Sequence, residues 1–255
     1  MGKFLVNANW NDAPHLTSEQ KFELSKTIRP HQRAAREKGM PVLGAGAIYP
    51  LDEEMIKCKP FQIPVHWRKA YALDVGWNRT AALWGAHDLE SDVVYIYSEH
   101  YVAEEKPPVH ADAIKARGAW MFGVVDPASR GRTQTDGERL FTRYTNLGLK
   151  LALADNSIDA GLDAVWERLT SGRLKIFDTC YNFFYEYRLY RRDEKGKIVK
   201  KDDHLMDTMR YLIVSGLNVA IPPPGVFGNR AMAESNHKFE WDPIKQLLEE
   251  APKLN

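Results

Sequence analysis

The chain is poor in cysteine, has no excess of either charge and contains no long apolar run; each lack removes a class of protein. Its two cysteines, Cys58 and Cys180, lie far apart with no partner at metal-ligand spacing, which argues against a disulfide framework or a zinc site and leaves both as reduced thiols. Against 35 Lys and Arg stand 34 Asp and Glu, a formal charge of +1, so any attraction to a polyanion must come from a local patch. No apolar stretch approaches the roughly 20 residues that span a bilayer, and no apolar signal segment opens the sequence. A cytosolic chain with no membrane partner is therefore expected. No internal repeat is found. What is present is ordinary for a globular protein: 255 residues, 44% apolar and 27% charged, enough for one large domain or a medium one with extensions around a real core.

Three regions follow from the patterning. Residues 1–68 are punctuated by Pro14, Pro30, Pro41, Pro50, Pro60 and Pro64 around one helical candidate, "SEQKFELSKTI", with Thr17 as N-cap and Gln20 three residues on. They read as an extended arm. From Tyr71, "YALDVGW", "TAALWGAHD" and "DVVYIYSEHYV" follow one another with tight turns, the signature of an antiparallel meander. Beyond them alternate a helix over "PPVHADAIKARG", a buried strand in "WMFGVVDPASRG", a helix in "TDGERLFTRYTNLG" closed by Gly148, a strand "LKLALAD", a helix "SIDAGLDAVWERLTSG" and a strand "LKIF". A last helix, "DHLMDTMRYLIVSGL", has Leu205, Met209, Leu212 and Ile213 as its inner stripe. The expected fold of residues 69–219 is thus α/β, a mixed sheet of an antiparallel meander followed by parallel strands, flanked by helices. Residues 220–255 read as a Pro-rich tail.

Acids stand where this pattern should be dry. Asp74 ends one apolar run, Asp126 ends another in "GVVDP", and Asp202 and Asp203 open the last helix with Asp207 one turn later. Singly, each is an ordinary turn residue or N-cap. Converging on one sheet edge, they would repel one another unless cations held them, and oxygen-only ligands point to Mg²⁺ or Mn²⁺. Two such ions roughly 3.5–4 Å apart can activate water and stabilise a leaving oxygen in phosphodiester cleavage.

"ALDVGWNRTAALWGAHD", "GVVDPASRG" and "DDHLMDTMRYL" resemble the three acidic motifs of the nuclease domain of tailed-bacteriophage terminase large subunits, which has the ribonuclease H-like fold. "WNDAPHLTSEQKFELSKTIRPHQRAAREKGMPVLGAGAIYP" resembles the segment joining the packaging motor to that nuclease. The resemblance covers about Trp10 to Val219. It implies a metal-dependent endonuclease cutting concatemeric double-stranded DNA with little sequence specificity, in the cytoplasm of the infected host. By it Asp74, Asp126 and Asp203 match the metal-binding, catalytic acids, with Asp202 and Asp207 in the same motif, around two divalent cations, Mg²⁺ or Mn²⁺. The implied partners are the terminase ATPase domain, the small terminase subunit and the portal. One departure stands out: no Walker A loop exists, since Gly2-Lys3 precedes Phe4 and Gly196-Lys197 precedes Ile198. The chain is then expected to lack an ATP site and to be a nuclease fragment or a short relative.

Arg188, Arg191, Arg192, Lys195, Lys197, Lys200 and Lys201 crowd the stretch before the third motif, and "YEYRLYRRDEKGKIVKKDDH" reads as a β-hairpin turning near Lys195-Gly196. Beside a metal site these cations would guide a phosphate backbone without reading bases. Arg79, Arg130 and Arg132 extend the same surface. Tyr181, Phe183, Phe184, Tyr185, Tyr187 and Tyr190 are read as core and hairpin packing, not as a stacking platform, and His204 as packing near the helix start. Rival readings are another ribonuclease H-like enzyme such as a junction resolvase, transposase or ribonuclease H, which the acids alone do not separate; a PD-(D/E)xK nuclease using Glu104-Glu105-Lys106, which lacks an upstream acid; an actin-like nucleotide-binding module, which lacks a second Gly-rich loop; and a purely structural packaging protein.

Overall fold

The computed structural model describes residues 10–27, 46–76, 78–130 and 140–225, with only the backbone for Asn11, Thr27 and Arg130. Its strands, in chain order, are β1 (Lys57–Cys58), β2 (Arg68–Asp74), β3 (Thr80–Asp88), β4 (Val93–Val102), β5 (Phe122–Val125), β6 (Lys150–Leu153) and β7 (Leu174–Phe177). They form one seven-stranded sheet in the order β1-β7-β4-β3-β2-β5-β6. The meander β2-β3-β4 is antiparallel, as its tight turns require, while β5 and β6 on one side and β7 and β1 on the other add in parallel. The helices are α1 (Ser18–Thr27), α2 (Glu53–Ile56), α3 (Pro107–Lys115), α4 (Leu140–Asn146), α5 (Ile158–Thr170), α6 (Tyr181–Leu189) and α7 (His204–Tyr211). From α7 the chain runs through a π-helical turn, Leu212–Gly216, into a last helical turn, Leu217–Val219.

Strand periodicity divides the side chains between two cores. Tyr71 and Leu73 of β2 and Ala82 and Trp84 of β3 face α3 and α4, joining Ile114, Met121 and Tyr144. Their neighbours Ala70, Ala72, Ala81 and Leu83 face α5, α6 and α7, joining Leu162, Phe183, Met209 and Leu212. Full burial of one such large apolar side chain contributes roughly 1.5–3 kcal/mol. The two faces therefore hold the sheet, and its edges can carry locally unfavourable groups without unfolding it. Gly123 of β5 lies opposite Tyr71, where a Cβ would stand 2.3 Å from the tyrosine ring; only glycine lets that ring lie across the neighbouring strand.

Most expected elements appear where the pattern put them, including the capping box of α1, in which Thr17 and Gln20 bond each other's backbone N–H at 2.9 and 3.2 Å. Three differ. The aromatic run forms α6, not a hairpin strand: Phe183, Phe184 and Tyr187 are buried while Tyr181, Tyr185 and Leu189 are exposed, a period near 3.6 and not 2. The hairpin shrinks to residues 191–199, closed by the bridge Arg192↔Ile198 with Gly196 at φ 77° in the turn. Within the stretch read as an arm, Lys57–Cys58 add an edge strand beside β7, and Ile48, Tyr49 and Ile56 enter the core. Two residues of such a strand carry no periodicity to read. Of the expected tail, Ile221 bridges to Lys69; residues 226–255, like 1–9, 28–45 and 131–139, lie outside the described residues. No helix of the described residues is long and apolar enough to cross a membrane.

Candidate functional site

The site grows from one register. β2 and β5 are parallel neighbours with Leu73 opposite Val125, so the next residues, Asp74 and Asp126, leave the sheet at the same edge. The Asp126 N–H still donates to the Leu73 carbonyl (3.3 Å), prolonging the pairing past the strand end. Asp126 Oδ1 accepts from the Ala128 N–H at 3.1 Å and so also opens the short 3₁₀ turn Pro127–Arg130. The Asp74 side chain is 19% exposed. Burial pushes its carboxyl above the usual range; His204 pulls it down, and the charges of Asp207 and Asp126 push it up again.

The third strand-edge neighbour is the N-terminus of α7, which packs against β2 and β3. Asp203 occupies the N-cap position and is buried, yet its side chain makes no capping bond to its own helix. Its Oδ2 is shielded from solvent and accepts no well-formed hydrogen bond, although Lys200 Nζ lies 3.1 Å away. Asp207, one turn on, receives Lys200 Nζ at 3.0 Å and Arg210 Nη2 at 3.0 Å. Asp202 is held at φ 52° in the turn before the helix. Burial raises the pKa of the Tyr211 hydroxyl, and the charges of Asp207, Asp126 and Asp74 add to the rise, against Arg210. Asp203 is joined to Asp207 through Lys200, whose Nζ lies 3.1 Å from Asp203 Oδ2 and 3.0 Å from Asp207 Oδ2.

His204, read from sequence as packing at the helix start, lies on Asp74: Nδ1 is 2.8 Å from Oδ2, and the carboxylate raises its pKa. The signal was its position, three residues before Asp207 on the same helix. Glu186 gave no signal at all, being one acid inside an aromatic run. It is fully buried in α6, accepting from the Tyr101 hydroxyl at Oε1 and from the Leu205 N–H at Oε2, both at 2.6 Å. Burial pushes its carboxyl up, and these two donors pull it down.

The basic residues separate. Lys200 sits between Asp203 and Asp207, while Arg188 lies on α6 in a two-pronged pair with Glu53 (2.8 Å). Arg192 folds back, donating to the Gly196 carbonyl at 2.8 Å with Asp159 3.8 Å away. Arg191, Lys195, Lys197 and Lys201 are exposed. Asp193 accepts from the N–H groups of Lys195 and Lys197 in the turn, and with the exposed Glu194 it offsets part of the hairpin's positive charge. Arg79 stacks on the Tyr101 ring, 4.3 Å from its centroid. Arg132 and the Arg130 side chain lie outside the described residues.

Among the described residues, no three Asp, Glu, His or Cys side chains are gathered as a ready metal site. Protein side chains stand against the acids: His204 on Asp74, Lys200 between Asp203 and Asp207, Arg210 behind Asp207. The donor set nevertheless suits a hard cation. It offers carboxylate oxygens on a rigid sheet edge, one desolvated at Asp74 and one, Asp203 Oδ2, without a hydrogen bond.

Residues 72–215, which contain all of these acids, match the family described as "Terminase RNaseH-like domain". The large terminase subunits of Enterobacteria phage LP7 and Salmonella phage P22 are each 37% identical over 223 residues. Those matches cover 81% of this chain but only 45% and 43% of the relatives, so the chain spans less than half their length. The solved structure of the P22 large terminase nuclease domain matches with a TM-score of 0.64 at 32% identity, over 70% of this chain and 96% of that one. The chain belongs to the terminase RNaseH-like domain family and has its ribonuclease H-like fold.

Proposed function

We propose that the chain is a metal-dependent DNA endonuclease, the cutting domain of a viral packaging terminase, acting on concatemeric double-stranded DNA with little sequence preference. The observation that carries this reading is the parallel β2–β5 register, which sets Asp74 and Asp126 side by side beside the acidic start of α7. Asp74, Asp126 and Asp203 would hold two Mg²⁺ or Mn²⁺ ions, with Asp207 and Asp202 as neighbouring carboxylates. Bound there, such ions activate a water and stabilise the leaving oxygen. The chain's own part is to fix the carboxylates on a rigid strand end, hold His204 against Asp74, and offer Arg191, Lys195, Lys197 and Lys201 to phosphates. Their spread along an exposed hairpin suits backbone contact, which carries no sequence information.

By the same reading the biological partners are a terminase ATPase domain, the small subunit and the portal, in the host cytoplasm. The test is supercoiled-plasmid cleavage by the purified chain with Mn²⁺, Mg²⁺ or EDTA, beside Asp126→Ala. Metal-dependent nicking and linearisation that this substitution abolishes supports the reading. Cleavage that persists in EDTA, or at the wild-type rate in Asp126→Ala, overturns it.

A further inference from the structure

An Asp at a helix N-cap ordinarily turns its carboxylate onto the N–H of the second or third helical residue. Asp203 does not. Of those two N–H groups, that of Leu205 is already bound at 2.6 Å by Glu186 Oε2, which reaches in from α6. Glu186 is fully buried and held from its other side by the Tyr101 hydroxyl, 2.6 Å from Oε1. The Tyr101 ring in turn carries the Arg79 guanidinium, from the connection that follows Asp74. One buried carboxylate thus ties β4, α6 and the start of α7 together, and Asp203 keeps an oxygen with no hydrogen bond to its own helix.

We propose that Glu186 is a positioning residue for this site: by capping α7 in place of Asp203, it frees the Asp203 carboxylate to face a divalent cation. The inference rests on the metal reading above. It differs from a plain structural role, because a carboxylate that merely steadied α7 would leave Asp203 indifferent to its loss. Removing the cap should let Asp203 rotate onto the vacated Leu205 N–H and leave the metal site.

The test is Mn²⁺ titration calorimetry with plasmid cleavage on the whole chain, comparing wild type, Glu186→Met, Glu186→Gln and Asp74→Ala, each verified as folded by circular dichroism. Met matches the length of Glu without an acceptor. Gln retains one oxygen for the Leu205 N–H and turns its amide toward the Tyr101 oxygen. Loss of a partner that orients a metal ligand costs about 10- to 100-fold in metal affinity. That weakening is expected for Glu186→Met, with cleavage recovering partly at saturating Mn²⁺ and Glu186→Gln regaining most of the affinity. Wild-type Mn²⁺ affinity in a folded Glu186→Met protein overturns the proposal while the Asp74→Ala arm still upholds the metal reading. Failure of the wild type to bind Mn²⁺, or equal binding by Asp74→Ala, sinks that reading and the proposal with it. Should Glu186→Met not fold, a crystal structure of the wild type with Mn²⁺ decides: Asp203 on the ion and Glu186 on the Leu205 N–H is the expected result, and Glu186 on the ion or Asp203 on its own helix overturns it.

Discussion

His204 Nδ1 lies 2.8 Å from Asp74 Oδ2, joining the first turn of α7 to the end of β2. The bond is the main reason the histidine's pKa is raised, while Asp74, more deeply desolvated, is raised by burial despite it. The His204 imidazole is thus raised by its hydrogen bond to the Asp74 carboxylate. A raised histidine stabilises the fold fully below its unfolded pKa of about 6.5, and that contribution is lost as pH climbs through the raised folded value. Asp74→Asn removes the partner. The His204 pKa, followed by NMR titration, should fall toward its ordinary value, and metal-dependent cleavage should be lost; an unmoved titration would show that the bond does not persist in solution.

Lys200 faces two carboxylates, at 3.1 Å from Asp203 and 3.0 Å from Asp207. In the metal-free chain it offsets the repulsion between them, and an arriving cation competes for the same oxygens. Lys200→Ala should tighten Mn²⁺ binding several-fold and lower metal-free stability by only about 1 kcal/mol, because the lysine side chain is 58% exposed and its ion pairs are solvent-screened. Calorimetry and urea denaturation measure the two effects. Unchanged or weaker Mn²⁺ binding would refute the competition.

How much of this could be read in the sequence depends on what carries the signal. Asp74 and Asp126 were legible because each ends an apolar strand, and strand periodicity survives in one dimension. Their adjacency was not, since it depends on the β2–β5 pairing across about 50 residues of chain, and pairing leaves no local mark. Arg188 was placed with the hairpin because a dense aromatic run suits strand and helix alike; burial of Phe183, Phe184 and Tyr187 on one side decided for α6 and carried Arg188 to Glu53. Glu186 was invisible because its role is fixed by two donors distant in sequence, Tyr101 and Leu205.

A buried histidine pair predicts an acid limit to stability. His100 Nε2 and His110 Nδ1 lie 2.9 Å apart, an arrangement that needs one nitrogen to donate and the other to accept. Burial, each other's proximity and Arg117 hold His100 down at about 4, and burial also lowers His110, against the pull of Glu105. Because the folded values are depressed, the unfolded chain binds protons first: stability is full above about pH 6.5 and is lost as pH falls toward 4, at a cost on the order of 3 kcal/mol for His100. Urea midpoints should fall across that window in the wild type and much less in His100→Asn. A flat wild-type profile between pH 6.5 and 4 would mean that the pair is hydrated and titrates normally.

Gly161 offers a test whose sign is diagnostic. It lies within α5, where alanine ordinarily gains about 1 kcal/mol over glycine. Here a Cβ would stand 2.6 Å from both Cγ and Cδ of Arg210, whose buried guanidinium donates to Asp207. At that distance the buried Arg210 stem must shift, while Val214 of the π-helical turn lies 3.6 Å from the new methyl. Gly161→Ala should therefore destabilise the fold by about 1–3 kcal/mol, as overpacking does. It should also loosen Asp207, and plasmid cleavage should drop more than in a control Glu90→Ala, at an exposed position of the β3–β4 turn. A gain in stability by urea denaturation would mean that Arg210 moves aside freely and that Asp207 is not held by it.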